Sequence, residues 1–251
     1  MADSIKIVQF QDKYKDQVVD LVKRETAANV GVKRLKWITL FFKRNGFIVS
    51  TVYVMTTVYI FNFLLGLFTS KNNIFVSAII LASFIFFVIL PQLSKKLAKQ
   101  AVHYSESIAE NDLDDIKGTY LAQDDKNFWV AIDEYDNVCG CVSLSNQMPM
   151  ETQYHLGKYI KENDGIKVAE IKRMAVNPNY RRRGIGSKLC NEAVNFAKQK
   201  NFRAIVNTTV TLNQPLIGLY KKAGFFKVSS FFFQVLWKIF GIQVEVYLKL
   251  L

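Results

Sequence analysis

Residues 5–10 alternate apolar and polar side chains, the period of a strand buried on one face. Tyr14, Val18, Leu21 and Val22 then recur at helical spacing and predict a helix over residues 12–28, closed by Gly31. The pattern changes at residue 46. Residues 46–68 carry no charge, nor do residues 74–90, which Pro91 closes. The first run is long enough to cross a bilayer core of ~30 Å, and the second is at the short end of spanning length. Neither run keeps the polar face of a helix packed on a soluble core. The pair therefore reads as a membrane hairpin turned at residues 69–73, with two buried core helices as the alternative.

Water-compatible periodicities return from residue 103. A short helix through Ala122 is predicted, capped by Asn111 or Asp112. Residues 127–132 and 138–144 predict a hairpin of strands around the turn 133–137. A polar loop, 147–165, leads to a strand over 168–176. A helix over 187–200, a strand over 202–209, a helix over 213–223 and closing strands over 225–228 and 243–250 complete the order. The chain thus divides into an N-terminal strand and helix (1–30), a hairpin with its flanks (31–100), and the main part of the same domain (101–251).

Charge sharpens the membrane reading. The 251 residues carry a net charge of +12, and half are apolar. So basic a soluble chain would suggest nucleic acid, but here the cations collect beside the apolar runs. Lys33, Arg34, Lys36, Lys43 and Arg44 precede the first run, and Lys95, Lys96 and Lys99 follow the second. The turn between them carries only Lys71. By the bias of cationic flanks, both ends of the hairpin face the cytosol. The partner this predicts is membrane lipid, not nucleic acid. The first 45 residues are mixed and charged, so no signal peptide is expected. Residues 230–240 are too short to span; they suit either an interfacial segment or an apolar bulge between the last strands. Cys139, Cys141 and Cys190 form no ligand spacing, and Cys139 and Cys141 would face opposite sides of one strand. Free thiols and no metal are expected. His155 reads as an ordinary loop histidine.

The chemistry concentrates at residues 176–189, where a strand runs through a Pro-Asn turn and a basic, glycine-spaced loop into a helix. Such a turn aims unpaired backbone N–H groups, and the positive end of a helix dipole, at one spot that suits phosphate. The P-loop pattern is absent, and so is the third glycine of a dinucleotide fingerprint. The pattern present is Arg181-x-x-Gly184-x-Gly186. A second block runs from Asn213 through Leu219-Tyr220 to Gly224-Phe225.

These two blocks, with the predicted order of elements over residues 5–28 and 105–250, resemble the Gcn5-related N-acetyltransferases (GNAT). The inserted hairpin and Asn127-Phe-Trp-Val-Ala131 resemble the membrane-bound N-acetyltransferase 8 (camello) group within them. The resemblance implies an α/β fold with a mixed, mostly antiparallel sheet flanked by helices, and the hairpin inserted after the first helix. It implies an acetyl-CoA-dependent N-acetyltransferase of the endoplasmic reticulum membrane, with both termini and the catalytic domain cytosolic. The acceptor would be a small-molecule amine, such as a small amino acid or S-substituted cysteine. A protein lysine is the alternative, and a silent, CoA-binding membrane adaptor stands as a second one.

By the same resemblance, Met174, Ala175 and Val176 receive the pantetheine arm. The backbone of Arg182, Arg183, Gly184, Ile185, Gly186 and Ser187 takes the pyrophosphate. Arg181, Arg183 and Lys188 can add charge there. Asn213 either caps its helix or contacts CoA. Tyr220 matches the general acid that protonates the departing thiolate. Glu170 is the candidate base for the acceptor ammonium; there the chain departs from the camello group and shares the Ala-Glu-Ile frame of Gcn5-type enzymes, so substrate identity does not carry over. Arg173 is the candidate for a substrate carboxylate through a bidentate contact.

Overall fold

The computed structural model describes residues 5–31, 112–148, 167–232 and 243–251, together with residues 55, 57, 92, 152, 153, 156, 159 and 238. The expected hairpin and its collars, His155 and most of residues 230–240 lie outside these. Among the described residues, no helix is long and apolar enough to cross a membrane.

Among the described residues, seven strands form one sheet in the order β1-β2-β3-β4-β5-β7-β6. They are β1 (Lys6–Gln9), β2 (Asn127–Ile132), β3 (Val138–Ser145), β4 (Val168–Val176), β5 (Ala204–Val210), β6 (Phe226–Phe231) and β7 (Val244–Leu250). Every neighbouring pair is antiparallel except β4 and β5, which run parallel. Among the described residues, α-helices α1 (Lys15–Gly31), α2 (Ile185–Gln199) and α3 (Gln214–Lys222) flank the sheet.

Each helix buries the stripe its periodicity marks. From α1, Val18, Leu21 and Val22 pack with Phe128, Val130 and Cys141 on one face of the sheet. From α2 and α3, Ile185, Leu189, Ala193, Ile217 and Tyr220 pack with Ala169, Ile171 and Ile205 on the other. Cys139 and Cys141 part between these two cores, as strand alternation requires. All three thiols are free, and burial raises Cys139 and Cys190 to about 11 and Cys141 to about 12.

Several boundaries move. Tyr14 ends a separate 3-10 turn, Asp12–Tyr14, before α1 begins. The helix predicted to end at Ala122 closes instead in a π-helical turn, Lys117–Leu121. Of the two expected caps, Asn111 lies outside the described residues, and Asp112 accepts hydrogen bonds from Arg173 and Tyr120. The closing strand predicted to end at Val228 runs on to Phe231 against β7.

The decisive irregularity is in β4. Lys172 pairs with Ser143 but Ala175 pairs with Cys141, so β4 holds one residue more than β3 across this step. Arg173 takes up the excess with φ +53, a bulge in a left-handed conformation rare outside glycine. β4 pairs with β5 only through Val168↔Ala204, Ala169↔Ile205 and Glu170↔Val206. Beyond that rung the two central strands part.

Candidate active site

The loop residues converge as their local signals require. Asn177 opens the turn by accepting a hydrogen bond from Asn179 N–H at 3.1 Å, with Pro178 next. Tyr180 ties the turn down, donating its hydroxyl to Asp133 at 2.7 Å. Arg183 stacks over the Tyr180 ring, 5.3 Å from its centroid. Gly184 is the α2 N-cap at φ +77, with no side-chain cap bond. The first backbone bond of α2 runs from Lys188 N–H to the Gly184 carbonyl at 3.0 Å. By helix geometry, the N–H groups of Ile185, Gly186 and Ser187 therefore have no carbonyl behind them and point outward.

These groups open onto a cleft of about 720 Å³. It is lined by Met174, Ala175, Val176, Arg181, Arg182, Gly184, Ile185, Gly186, Ser187 and Asn213, the residues expected to hold the cofactor. Asn213 makes no side-chain cap bond, so its amide is left to the cleft. Of the residues expected at the cofactor, Arg183, Lys188 and Tyr220 lie off this lining.

The cleft fits a thioester of CoA by its donor set: three outward N–H groups and basic side chains for a diphosphate, then an apolar wall of Met174, Val176, Leu216 and Leu219 for a slender arm. Gly186 adds a second sign. A Cβ there would meet Leu219 and Val176 only at 3.5–3.7 Å, ordinary contact. Protein packing therefore does not demand a glycine at this point, whereas close approach of a ligand to the backbone does.

The sequence reading missed the reach of α1. Glu25 lines the cleft and binds the Arg181 guanidinium, 156 residues away in sequence. Arg181 also donates to the Val176 carbonyl at 3.1 Å. Lys222, one helical turn after Gly218, is another unanticipated cation of the lining. Gly140 was missed in a different way: a Cβ there would sit 2.9 Å from the Ala175 carbonyl and 3.1 Å from Leu189, so its absence lets α2 lie close on the sheet.

Glu170, at the last rung between β4 and β5, and Tyr220, on α3, lie on opposite faces of the sheet. Tyr220 belongs to the α2/α3 side, in one core with Ala169, Ile171 and Ile205. Glu170 alternates with those residues along β4 and so shares the other face with Val168, which packs with Val206 and Leu156. The Tyr220 hydroxyl is fully buried and has no hydrogen-bond partner among the described residues. Burial first, then Cys190 and Glu170, raise its pKa well above the ordinary phenol range, so it stays protonated. Glu170 is 2% exposed. One of its oxygens accepts from Thr208 at 3.5 Å; the other, Oε2, has no aligned hydrogen bond, with the Lys172 ammonium 3.3 Å away. Burial raises its pKa, and Lys172 and Thr208 pull it back.

Asn207 lies on β5, 4% exposed, and donates its amide to the Ile171 carbonyl at 3.0 Å. That carbonyl is the first on β4 beyond the last rung, so Asn207 satisfies a group the parting would strand. Arg173 is placed against Asp112 through Nε at 2.9 Å and Nη2 at 2.8 Å. The bidentate fork expected for a substrate carboxylate is engaged by a carboxylate of the protein itself. Among the described residues, no group of three or more metal-ligating side chains gathers.

Residues 92–225 match the model of the acetyltransferase (GNAT) family. The chain is 35% identical over 107 residues to "Probable N-acetyltransferase 14" of Xenopus tropicalis, covering 43% of this chain and 44% of that protein. It is 26% identical over 164 residues to N-acetyltransferase 8B of Rattus norvegicus, covering 65% of this chain and 68% of the other. With "Probable N-acetyltransferase camello" of Xenopus laevis it shares 30% identity over 125 residues, 49% of each chain. The chain thus spans from under half to about two thirds of the length of these relatives.

Proposed function

The chain belongs to the acetyltransferase (GNAT) family, and from that premise we propose that it moves an acetyl group from acetyl-CoA to the α-amino group of a small amino acid. One observation carries the reading: a buried carboxylate at the last β4–β5 rung and a buried phenol on the opposite sheet face lie within electrostatic reach of each other. Acetyl-CoA supplies the activated acetyl as a thioester. Glu170, on the acceptor side, takes a proton from the arriving ammonium. The amine forms the new C–N bond as the C–S bond breaks. Tyr220, on the cofactor side, gives its proton to the departing sulfur; the second proton lost by the nitrogen restores the phenol, and Glu170 passes its own proton to water. The sum is an N-acetyl amine, free CoA and one proton. A direct transfer is assisted by a base beside the amine and a separate acid beside the thiolate, and two groups on opposite sheet faces suit those two tasks.

The apolar runs at 46–68 and 74–90, with their basic collars, support anchoring in the endoplasmic reticulum membrane with the catalytic domain cytosolic. The domain is then expected to be digested when protease is added to sealed microsomes from the cytosolic side. Its protection would reverse the topology.

The catalytic reading is tested by CoA thiol release with a panel of primary amines and by its pH dependence. Glu170 must be ionised to act, and burial raises its pKa. The acid limb of kcat/KM should therefore lie above the ordinary carboxylate range. Glu170→Gln should cut activity most at low pH, where the amine is hardest to deprotonate, with partial recovery at high pH. An unchanged acid limb in that variant removes Glu170 from the base role.

A further inference from the structure

The acceptor face of the parting holds a small polar patch. Glu170, Lys172 and Thr208 lie there, with Ser143 directly across from Lys172. Their neighbours on the same face, Val168 and Val206, are apolar and buried. Buried polar groups on a sheet face are costly unless they are satisfied. Here the Glu170 oxygen nearest Lys172 has no aligned hydrogen bond, although Glu170 is 2% exposed. The ion pair is loose, with its N–O separation at 3.3 Å.

We propose that this pair is the reader of the amino-acid head group: Glu170 receives the α-ammonium and Lys172 the α-carboxylate. The inference rests on the acetyltransferase reading above and adds the residue that selects the substrate. An α-amino acid carries its ammonium and carboxylate on one carbon, side by side. Glu170 and Lys172, two residues apart on one strand face, present the complementary charges side by side. The zwitterion exchanges one ion pair for two, so no charge is left unpaired. Exchange is easy because the resting pair is poorly aligned. Arg173 is the neighbouring alternative, but Asp112 holds two of its N–H groups at 2.8–2.9 Å. Lys172 keeps its side chain 28% exposed, enough to swing toward an entering carboxylate. The amine of a protein lysine has no carboxylate beside it and leaves Lys172 without a task.

The test compares amine pairs that differ only in the α-carboxylate: L-phenylalanine with 2-phenylethylamine, and L-methionine with 3-(methylthio)propylamine. Nα-acetyl-lysine amide serves as the side-chain amine. CoA release gives kcat/KM for each with the full-length protein. The native protein should favour each amino acid over its partner amine by at least tenfold. Lys172→Met should cut that ratio by about ten- to a hundredfold, the usual worth of a hydrogen bond to a charged group. Lys172→Arg should keep most of it. The ratio is the proper readout, because loss of Lys172 also shifts Glu170 and so alters turnover of every amine. Lys172→Gln is run beside Lys172→Met in case the latter fails to fold. A ratio unchanged in both variants overturns the proposal. So does a native protein that acetylates only the decarboxylated amines or the lysine amide, an outcome that leaves the acetyltransferase reading intact. If the native protein binds acetyl-CoA and acetylates no amine, the function proposed above falls and this assignment falls with it.

Discussion

Tyr220→Phe is expected to lower turnover by ~10²–10⁴-fold, the usual worth of a positioned general acid, with acetyl-CoA affinity nearly unchanged. The structure makes this substitution unusually clean. The ring is fully buried and meets Phe225 edge-on at a centroid distance of 5.0 Å, a contact phenylalanine keeps. The hydroxyl has no hydrogen-bond partner among the described residues, so its removal breaks no bond there. Deleting an unsatisfied buried hydroxyl relieves a desolvation cost rather than adding one. The melting temperature should therefore hold or rise while turnover falls, and that opposition is the diagnostic. A merely structural tyrosine would move neither quantity far. The measurement is steady-state turnover at saturating acetyl-CoA, with a pre-steady-state trace showing that chemistry limits the rate. Parental turnover under those conditions makes Tyr220 a packing residue and leaves the sulfur to take its proton from water.

Gly186→Leu is expected to weaken acetyl-CoA binding by ~10²-fold or more while the domain stays folded. The N–H groups of Ile185, Gly186 and Ser187 are the donors, and hydrogen bonds to charged groups are worth ~1.5–3 kcal/mol each, so losing even two gives that factor. The two glycines of the loop act differently. Gly184 is needed for its φ of +77; a Cβ there would meet nothing within 4 Å. Alanine at that position costs about 1–2 kcal/mol of left-handed strain but does not block the cleft. Gly186 lies inside α2, where alanine is easily accommodated and a leucine side chain fills the approach to the N–H groups. Calorimetry with acetyl-CoA and a thermal melt separate the two cases. Gly184→Ala should lose stability before affinity, and Gly186→Leu affinity before stability. Unimpaired binding by a folded Gly186→Leu protein would move the phosphates elsewhere.

Much of this site is local, and locality is why the sequence discloses it. The loop from Val176 to Leu189 carries its own instructions: a strand pattern, a Pro-Asn turn, a glycine at the N-cap and an amphipathic stripe. Each acts within a few residues, so each is visible without a partner. The hairpin of β2 and β3 and the Leu219-Tyr220 helix are legible for the same reason. What the sequence could not carry was pairing between distant segments. Asp112 is a good helix cap by residue type, and nothing local shows that it also holds Arg173, 61 residues on, in a bidentate pair. Glu25 meets Arg181 across 156 residues. The bulge at Arg173 exists only as a mismatch of register between β3 and β4, and register belongs to two strands rather than one. That mismatch parts β4 from β5 after Glu170, puts Asn207 on the Ile171 carbonyl, and sets Glu170 and Tyr220 on opposite faces. Residue types and their local order determined that this chain has a glycine loop leading into a helix N-terminus, a carboxylate and a phenol. The tertiary structure alone decided that the last two lie on opposite faces of one sheet, because that arrangement depends on pairing between distant segments.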